Sequence, residues 1–185
     1  VYRKYSFERY FDSFDHYYTI YQQRNTELWI EYGEGKITKD ELNRQRFSYP
    51  LQAVGVEDET LAEKFSEDFF AIIPTKSGLM PYAKEVLEYL VPKYNLYILS
   101  NGFRELQSRK MRSAGVDIYF KKVILSEDLG VLKPWPEIFN FALSATQSEL
   151  RESLMIGDSW EADITGAHGI GMHQAFYNVT GRTSF

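Results

Sequence analysis

Apolar residues over the first part of the chain repeat at the spacing of α-helices. Within 14–32, seven large apolar residues fall at i, i+3, i+4, i+7, i+14, i+15 and i+18, which is one face of a long helix. Thr38 and Glu41 have the spacing of a capping box and predict a second helix, which we expect to stop before Pro50. A third apolar face runs over 58–73. This part is therefore predicted to be all helical.

After Pro74 the apolar residues come in short runs separated by helical stretches. The runs predict four strands, at 95–99, 123–125, 154–156 and 172–177. The predicted helices begin after Pro81 and then cover 103–114, 136–145 and 162–168. Short buried strands that alternate with helices predict βαβ units and a parallel sheet. The change of period lies near 74–78, so we expect two domains, 1–75 and 76–185.

Composition narrows the choice of partners. Hydrophobic residues make up 44% and charged residues 25%, which is typical of a globular protein. No apolar run approaches the roughly 20 residues of a membrane helix, so we expect no membrane partner. The net charge of −5 argues against binding to nucleic acid. The absence of cysteine excludes disulfides and is compatible with the cytoplasm, where we expect this protein. Met80 is the first methionine, which suggests a fragment or a processed chain.

Polar residues stand directly after the predicted strands, where open α/β sheets bind their ligands. Ser100, Asn101 and Gly102 follow the first strand. A hydroxyl and the amides of a turn before a helix suit an anion, although the same residues also fit a plain helix cap. Lys133 follows the second strand and suits a phosphoryl group, although a Lys-Pro pair is most often a surface loop.

Two carboxylates follow the third strand. Gly157 lets the chain turn sharply, Asp158 stands at the tip of the strand, and Asp163 can face the same cleft from the next helix. Two carboxylates with water suit a hard cation such as Mg²⁺. One capping and one surface aspartate would explain the pattern equally well. Three histidines lack the spacing of a metal site and receive no role: His16, His168 and His173.

The order of these groups along the chain resembles the haloacid dehalogenase (HAD) superfamily of hydrolases. Ser100 matches its second motif, Lys133 with the following proline its third, and Gly157-Asp158 with Asp163 its fourth. The resemblance implies a parallel doubly wound, Rossmann-like core with an all-helical cap at 1–75. A closer similarity to the noncanonical pyrimidine nucleotidases lies in three stretches, 28–38, 99–103 and 157–160.

This resemblance implies a phosphatase that hydrolyses small phosphate monoesters, with nucleoside monophosphates as candidates, through an aspartyl-phosphate and Mg²⁺. Ser100, Asn101, Gly102 and Lys133 would then hold the phosphoryl group. Ser100, Lys133 and Asp158 would be the catalytic residues. Asp158 would bind the metal directly, and Asp163 would bind it or order its waters.

One motif of the family is absent. The nucleophilic aspartate belongs to an Asp-x-Asp motif after an apolar strand, and Asp12 and Asp15 have the wrong spacing and lie at the start of a helix. In the family this motif precedes the cap. We therefore expect the first core strand to be missing from this chain, and the chain alone to be inactive.

Two other functions remain open. A metal-free 2-haloacid dehalogenase of the same superfamily would use a similar serine and lysine but typically lacks the paired acids, so Asp158 and Asp163 favour phosphate esters. A non-catalytic fragment would instead bind a partner. Five aromatic residues could stack on a nucleobase, although a helical stripe is more often core: Tyr17, Tyr18, Tyr21, Trp29 and Tyr32.

Overall fold

The computed structural model describes residues 1–179 and 181. The chain divides into two compact units, Val1–Lys76 and Ser77–Phe185. Among the described residues, no helix is both long and apolar enough to cross a membrane. That the first unit acts as a cap stays a prediction.

The first unit consists of three helices: α1 (Phe14–Gly33), α2 (Lys39–Ala53) and α3 (Glu59–Ile72). Short 3₁₀ turns precede α1 and follow α3, at Phe7–Arg9 and Ile73–Thr75. Each helix begins at a side-chain cap, because Ser13, Thr38 and Asp58 accept hydrogen bonds from the otherwise unpaired amides of the first turn. The predicted helices are therefore confirmed.

The predicted end of the second helix before Pro50 is wrong. Helix α2 continues through Pro50 to Ala53. A proline inside a helix removes one backbone hydrogen bond and costs about 3 kcal/mol. Pro50 and Leu51 are both fully buried, so the apolar packing of this turn offsets the lost bond.

Aromatic side chains fill the core of the first unit. The buried core residues are Phe7, Phe11, Tyr17, Phe47, Leu51, Ala62 and Phe65. The rings of Phe7 and Phe65 stack with 4.6 Å between their centroids, and the Tyr21 ring stacks on Phe47 at 5.8 Å. Tyr18, by contrast, is 45% exposed. Tyr17 and Tyr21 therefore belong to the core or its edge, in agreement with the plainer reading of the aromatic stripe.

The second unit alternates helices with short strands. The strands are β1 (Tyr97–Ser100), β2 (Lys122–Leu125), β3 (Leu154–Gly157) and β4 (His173–Phe176). The helices are α4 (Ala83–Leu90), α5 (Arg104–Ala114), α6 (Pro136–Thr146) and α7 (Thr165–Gly169), and one turn of π-helix, Trp160–Ile164, precedes α7. This order confirms the predicted α/β architecture.

All strand pairs in the described part of the chain are parallel. Strand β1 pairs with β2, with Ile98 opposite Val123, and β3 pairs with β4, with Ile156 opposite Ala175. The strands thus form two two-stranded sheets, and β1 and β3 each have a hydrogen-bonded neighbour on one side only among the described residues. Because the paired strands are parallel, the carboxyl ends of β1 and β2 lie at the same edge of their sheet. The carboxyl ends of β3 and β4 likewise lie at the same edge of the other sheet.

Helices α6 and α7 and the residue before β4 supply a buried core cluster of the second unit. Ile138, Phe139, Ala167 and Met172 are buried together, with Leu99 and Met155 of the two sheets packed against them. Gly166 lets α7 approach closely, because a Cβ at this position would lie 2.5 Å from the Phe139 ring. This packing holds the loops that follow β1, β2 and β3.

Candidate active site at the strand ends

The predicted site residues stand at the carboxyl ends of three strands. Ser100 is the last residue of β1, and Gly157 is the last residue of β3. Lys133 lies in the loop between β2 and α6. Side chains from separate parts of the sequence are thereby brought to the ends of both sheets, as βαβ topology requires.

The Ser100 hydroxyl forms a compact turn at the end of β1. Its Oγ accepts hydrogen bonds from the Gly102 amide at 3.0 Å and from Gln107 Nε2 at 2.6 Å. A Cβ on Gly102 would come within 2.6 Å of Gln107 Nε2, so the glycine makes room for this contact. A hydroxyl that accepts from two donors has its own proton free to donate to an anionic oxygen.

Gln107 is a site residue that the sequence did not indicate. It lies in the first turn of α5, seven residues after Ser100. A polar residue on the first turn of the helix that follows a site strand is the only signal that could have pointed to it. Its amide fixes the orientation of the Ser100 side chain.

The Asn101 side chain binds the main chain of Lys133. Its Oδ1 accepts from the Lys133 amide at 2.8 Å, and its Nδ2 donates to the Lys133 carbonyl at 3.1 Å. The Asn101 carbonyl also accepts from the Ser126 hydroxyl at 3.1 Å. Oδ1 and one N–H of Nδ2 are thus engaged, so the predicted contact of Asn101 with phosphate would use the second N–H of Nδ2 or the backbone N–H.

The Lys133 ammonium joins the two sheets. Its Nζ donates to the Leu99 carbonyl of β1 at 2.8 Å and pairs with Asp163 Oδ1 at 2.5 Å. The two side chains are only 10% and 6% exposed. The peptide bond from Lys133 to Pro134 is cis. A buried cation with a close anion is fixed in position and weakly screened by salt.

Asp163 is buried, and each of its carboxylate oxygens has a partner in the protein. While Oδ1 pairs with Lys133, Oδ2 accepts from the Ser159 amide at 3.1 Å. A Cβ on Gly157 would collide with this carboxylate, so the end of β3 must be glycine for Asp163 to take its position. The structure therefore places Asp163 as the group that holds Lys133.

Asp158 differs from Asp163 because it is exposed at the end of β3. Among residues 1–179 and 181, no group of three or more histidine, aspartate or glutamate side chains could hold a metal ion together. Asp158 offers a hard carboxylate, which suits Mg²⁺ with water completing its shell. The residues present thus fit such an ion through Asp158, while both oxygens of Asp163 already have partners in the protein.

An acidic pair after β2 fastens the start of α5. Asp128 Oδ2 accepts from the Leu125 amide at 2.9 Å, and its other oxygen pairs with the Arg104 guanidinium. Glu127 Oε2 accepts from the Arg104 amide at 2.7 Å. These contacts tie the loop after β2 to the helix after β1, which keeps Ser100 and the Lys133 loop together.

Comparison with known proteins shows the family to which this chain is similar. A family model described as haloacid dehalogenase-like hydrolase matches residues 4–171. The HAD-hydrolase YfnB of Bacillus subtilis is 34% identical over 160 residues, which cover 85% of this chain and 67% of YfnB. The pyrimidine 5'-nucleotidase YjjG of Escherichia coli is 32% identical over 160 residues, covering 86% of this chain and 69% of YjjG.

Solved structures show the same fold. The crystal structure of Bacillus subtilis YfnB bound to magnesium has a TM-score of 0.83 and 30% identity, and the match covers 92% of this chain and 75% of that one. An L-2-haloacid dehalogenase from Xanthobacter autotrophicus has a TM-score of 0.75 at 21% identity, over 94% of this chain and 69% of that one. The family model spans most of the sequence and includes every residue assigned above. This chain belongs to the haloacid dehalogenase-like hydrolase family.

Proposed function

We propose that this protein is a Mg²⁺-dependent phosphatase that hydrolyses small phosphate monoesters, and that nucleoside monophosphates are among them. The observation that carries the proposal is the arrangement of Ser100, the buried Lys133–Asp163 pair and the exposed Asp158 at the strand ends. A hydroxyl donor, a fixed cation and a free carboxylate are the groups that binding of a phosphoryl group with a divalent cation requires.

Each residue has a definite task in this reaction. The Ser100 hydroxyl and the backbone amides of the following turn would donate to the phosphoryl oxygens. Lys133, held by Asp163 and the Leu99 carbonyl, would keep positive charge close to them. Asp158 would hold the metal, which when bound stabilises negative charge on the phosphoryl oxygens. Asn101 would position Lys133 through the loop backbone.

The reaction we propose has two steps. A carboxylate oxygen of an aspartate forms a bond to phosphorus while the bond to the ester oxygen breaks, and the leaving alcohol takes up a proton. Water then attacks the aspartyl-phosphate and releases inorganic phosphate. The 185 residues contain no Asp-x-Asp motif, so we assign the nucleophile to none of them.

Names of relatives support the nucleotide substrate. YjjG and PynA are both named pyrimidine 5'-nucleotidases, and PynA of Streptococcus pneumoniae is 32% identical over 168 residues. Three dehalogenases among the structural neighbours are 21–24% identical to this chain, which indicates a shared fold and no more. The exposed Asp158 after β3 favours the phosphatase, because a halide leaving group needs no cation.

The experiment is a hydrolysis screen of the protein expressed from its complete coding sequence. Uridine monophosphate, ribose 5-phosphate and a chromogenic phosphate ester are assayed with Mg²⁺ and with EDTA. We expect hydrolysis that depends on Mg²⁺ and a loss of roughly 100-fold or more in Asp158→Asn, since a removed charge-stabilising group typically costs that much.

Glu152→Gln is the matched control, because Glu152 is an exposed carboxylate before β3, away from the strand ends. It should retain the activity of the unaltered protein. Release of halide from 2-chloropropionate in EDTA, without phosphate ester hydrolysis, would identify the protein as a dehalogenase and overturn the proposal.

A further inference from the structure

The hydroxyl group of Ser100 is held from two sides. Ser100 ends β1, opposite the fully buried Leu125 of β2. Its Oγ accepts one hydrogen bond from the Gly102 amide at 3.0 Å and another from Gln107 Nε2 at 2.6 Å. Within the described part of the chain, the hydroxyl donates to no other group. A hydroxyl oxygen has two lone pairs, so the two donors leave a single direction for its proton.

The two donors differ in what they could offer to Ser100. Gly102 contributes a main-chain N–H, which can only donate. Gln107 contributes a side-chain amide, which carries a donor at one end and an acceptor at the other. With Nε2 towards Ser100, the hydroxyl proton points away from Gln107 and is available to a ligand. With the amide oxygen towards Ser100, the hydroxyl would instead donate to Gln107.

Gln107 stands on a helix that is fixed at its start. Its own backbone amide donates to the carbonyl of Phe103 at 3.0 Å, and Phe103 is buried. The Arg104 amide in the same turn donates to Glu127 Oε2 at 2.7 Å. Gly102 leaves room for the Gln107 amide, because a Cβ there would lie 2.6 Å from Nε2. A helix held in this way positions a side chain more precisely than a loop does.

We propose that Gln107 is a positioning residue that directs the Ser100 hydroxyl proton to the phosphoryl group of the substrate. This inference rests on the proposed phosphatase function. Phosphoryl oxygens accept hydrogen bonds, and donors that already point at them need no reorganisation during the reaction. By occupying one lone pair of Oγ, Gln107 excludes orientations in which the hydroxyl turns its oxygen to the phosphate. Gln107 acts through Ser100 and needs no contact with the substrate.

Two replacements of Gln107 separate this role from simple packing. In Gln107→Met only Gly102 orients the hydroxyl, and kcat/KM should fall roughly threefold to tenfold, the worth of a typical hydrogen bond. Gln107→Glu keeps the shape of glutamine but offers only acceptors, so the hydroxyl should turn to the carboxylate. The loss should then reach roughly 100-fold, as for removal of a donor to the reacting group. A packing role predicts the opposite order, because glutamate resembles glutamine more closely than methionine does.

The measurement uses the protein expressed from its complete coding sequence. With Mg²⁺ present, kcat/KM is determined for uridine monophosphate and for ribose 5-phosphate. Because Ser100 addresses the phosphoryl group, each variant should lose the same factor with both substrates. Gln174→Met and Gln174→Glu are the matched controls, since Gln174 is an exposed glutamine within β4. Both controls should retain the values of the unaltered protein.

A second background separates the hydroxyl from the added charge of Gln107→Glu. In Ser100→Ala the hydroxyl is absent, whereas repulsion between the new carboxylate and the phosphate remains. Gln107→Glu should therefore cost at least about tenfold less in the Ser100→Ala background than in the unaltered protein. Equal losses in the two backgrounds, or a greater loss in Gln107→Met than in Gln107→Glu, would overturn the proposal. If Gln107→Met does not fold, the two backgrounds of Gln107→Glu decide.

Failure of the proposed function would be recognised separately. If the unaltered protein hydrolyses no phosphate ester, or a variant is too slow for kcat/KM, binding of inorganic phosphate with Mg²⁺ is measured by calorimetry. Binding that Gln107→Glu weakens at least about tenfold more with the Ser100 hydroxyl than in Ser100→Ala would support the positioning role alone. Undiminished hydrolysis by Gln107→Glu would overturn this inference and leave the phosphatase function standing. Absence of both hydrolysis and phosphate binding in the unaltered protein would overturn both.

Discussion

At the scale of single residues, the chemistry at the strand ends depends on one buried ion pair. Lys133 and Asp163 are far apart in the sequence, and each is nearly enclosed. Such a pair adds little net stability when complete, but loss of one partner leaves the other charge buried and unpaired. The pair is therefore best regarded as a device that fixes the position of the ammonium.

This role of the ion pair predicts that replacement of aspartate by asparagine changes the free energy of unfolding by different amounts at positions 163 and 158. Asp163→Asn should lower the free energy of unfolding by roughly 3–5 kcal/mol, because it leaves Lys133 without its anion. Asp158→Asn changes an exposed carboxylate five residues away and should stay within about 0.5 kcal/mol of the unaltered protein. Urea denaturation measures both values. Equal stabilities of the two variants would contradict the assignment of Asp163 to Lys133.

At the scale of elements, the start of α2 is fastened by a reciprocal cap. The Glu41 amide donates to Thr38 Oγ1 at 3.2 Å, and Glu41 Oε2 accepts from the Thr38 amide at 2.7 Å. The Thr38 amide and the Thr38 hydroxyl, which donates to the same oxygen at 2.9 Å, lower the pKa of Glu41 below its ordinary value of 4.5. A lowered folded-state pKa stabilises the fold above the unfolded pKa, and this stabilisation is lost as the pH falls through the folded pKa.

Glu41→Gln should therefore melt at a lower temperature than the unaltered protein at pH 7. The difference should begin to shrink as the pH falls below the ordinary glutamate pKa of 4.5, and it should be lost once the pH has passed through the lowered pKa of Glu41 in the folded protein. Thermal unfolding followed by circular dichroism at a series of pH values measures it. Asp40→Asn, a change to the adjacent exposed acid outside the capping box, should show a smaller difference at pH 7. A difference for Glu41→Gln that persists undiminished at pH 2 would refute this account.

The helices and strands were the features of the structure that the sequence predicted best. Helices and strands could be predicted because their apolar periods and caps are local, as in α2 with Thr38 and Glu41. The prediction that α2 ends before Pro50 was wrong because the burial of Pro50 depends on tertiary packing, which the local sequence does not show. The strand-end positions of Ser100, Lys133 and Asp158 followed from topology. The clamp of Asn101 on Lys133 joins residues 32 apart in sequence and could not be predicted.

At the scale of the whole molecule, the chain is two compact units joined near Lys76. Residues 76–80 lie outside regular secondary structure and are exposed. Such segments are preferred sites of proteolysis, because they can enter a protease without unfolding a packed element. Lys76 additionally provides the side chain that trypsin requires.

Brief trypsin treatment of the native protein should therefore cut first after Lys76. Mass spectrometry of the earliest products identifies the site. Lys76→Gln should remove this first product, while Lys84→Gln, a change to a lysine within α4, should not. First cleavage inside either unit would contradict the division of the chain at this point.

The close approach at the end of β3 limits how this protein can diverge. Every amino acid other than glycine would place a Cβ from position 157 against the Asp163 carboxylate. Relief by a shift of Asp163 would disturb Lys133, and through it the carbonyl of Leu99 in the other sheet. Positions 133, 157 and 163 should therefore evolve together. A replacement at one of them alone should impair the protein, and replacements should persist only where the other two positions change as well.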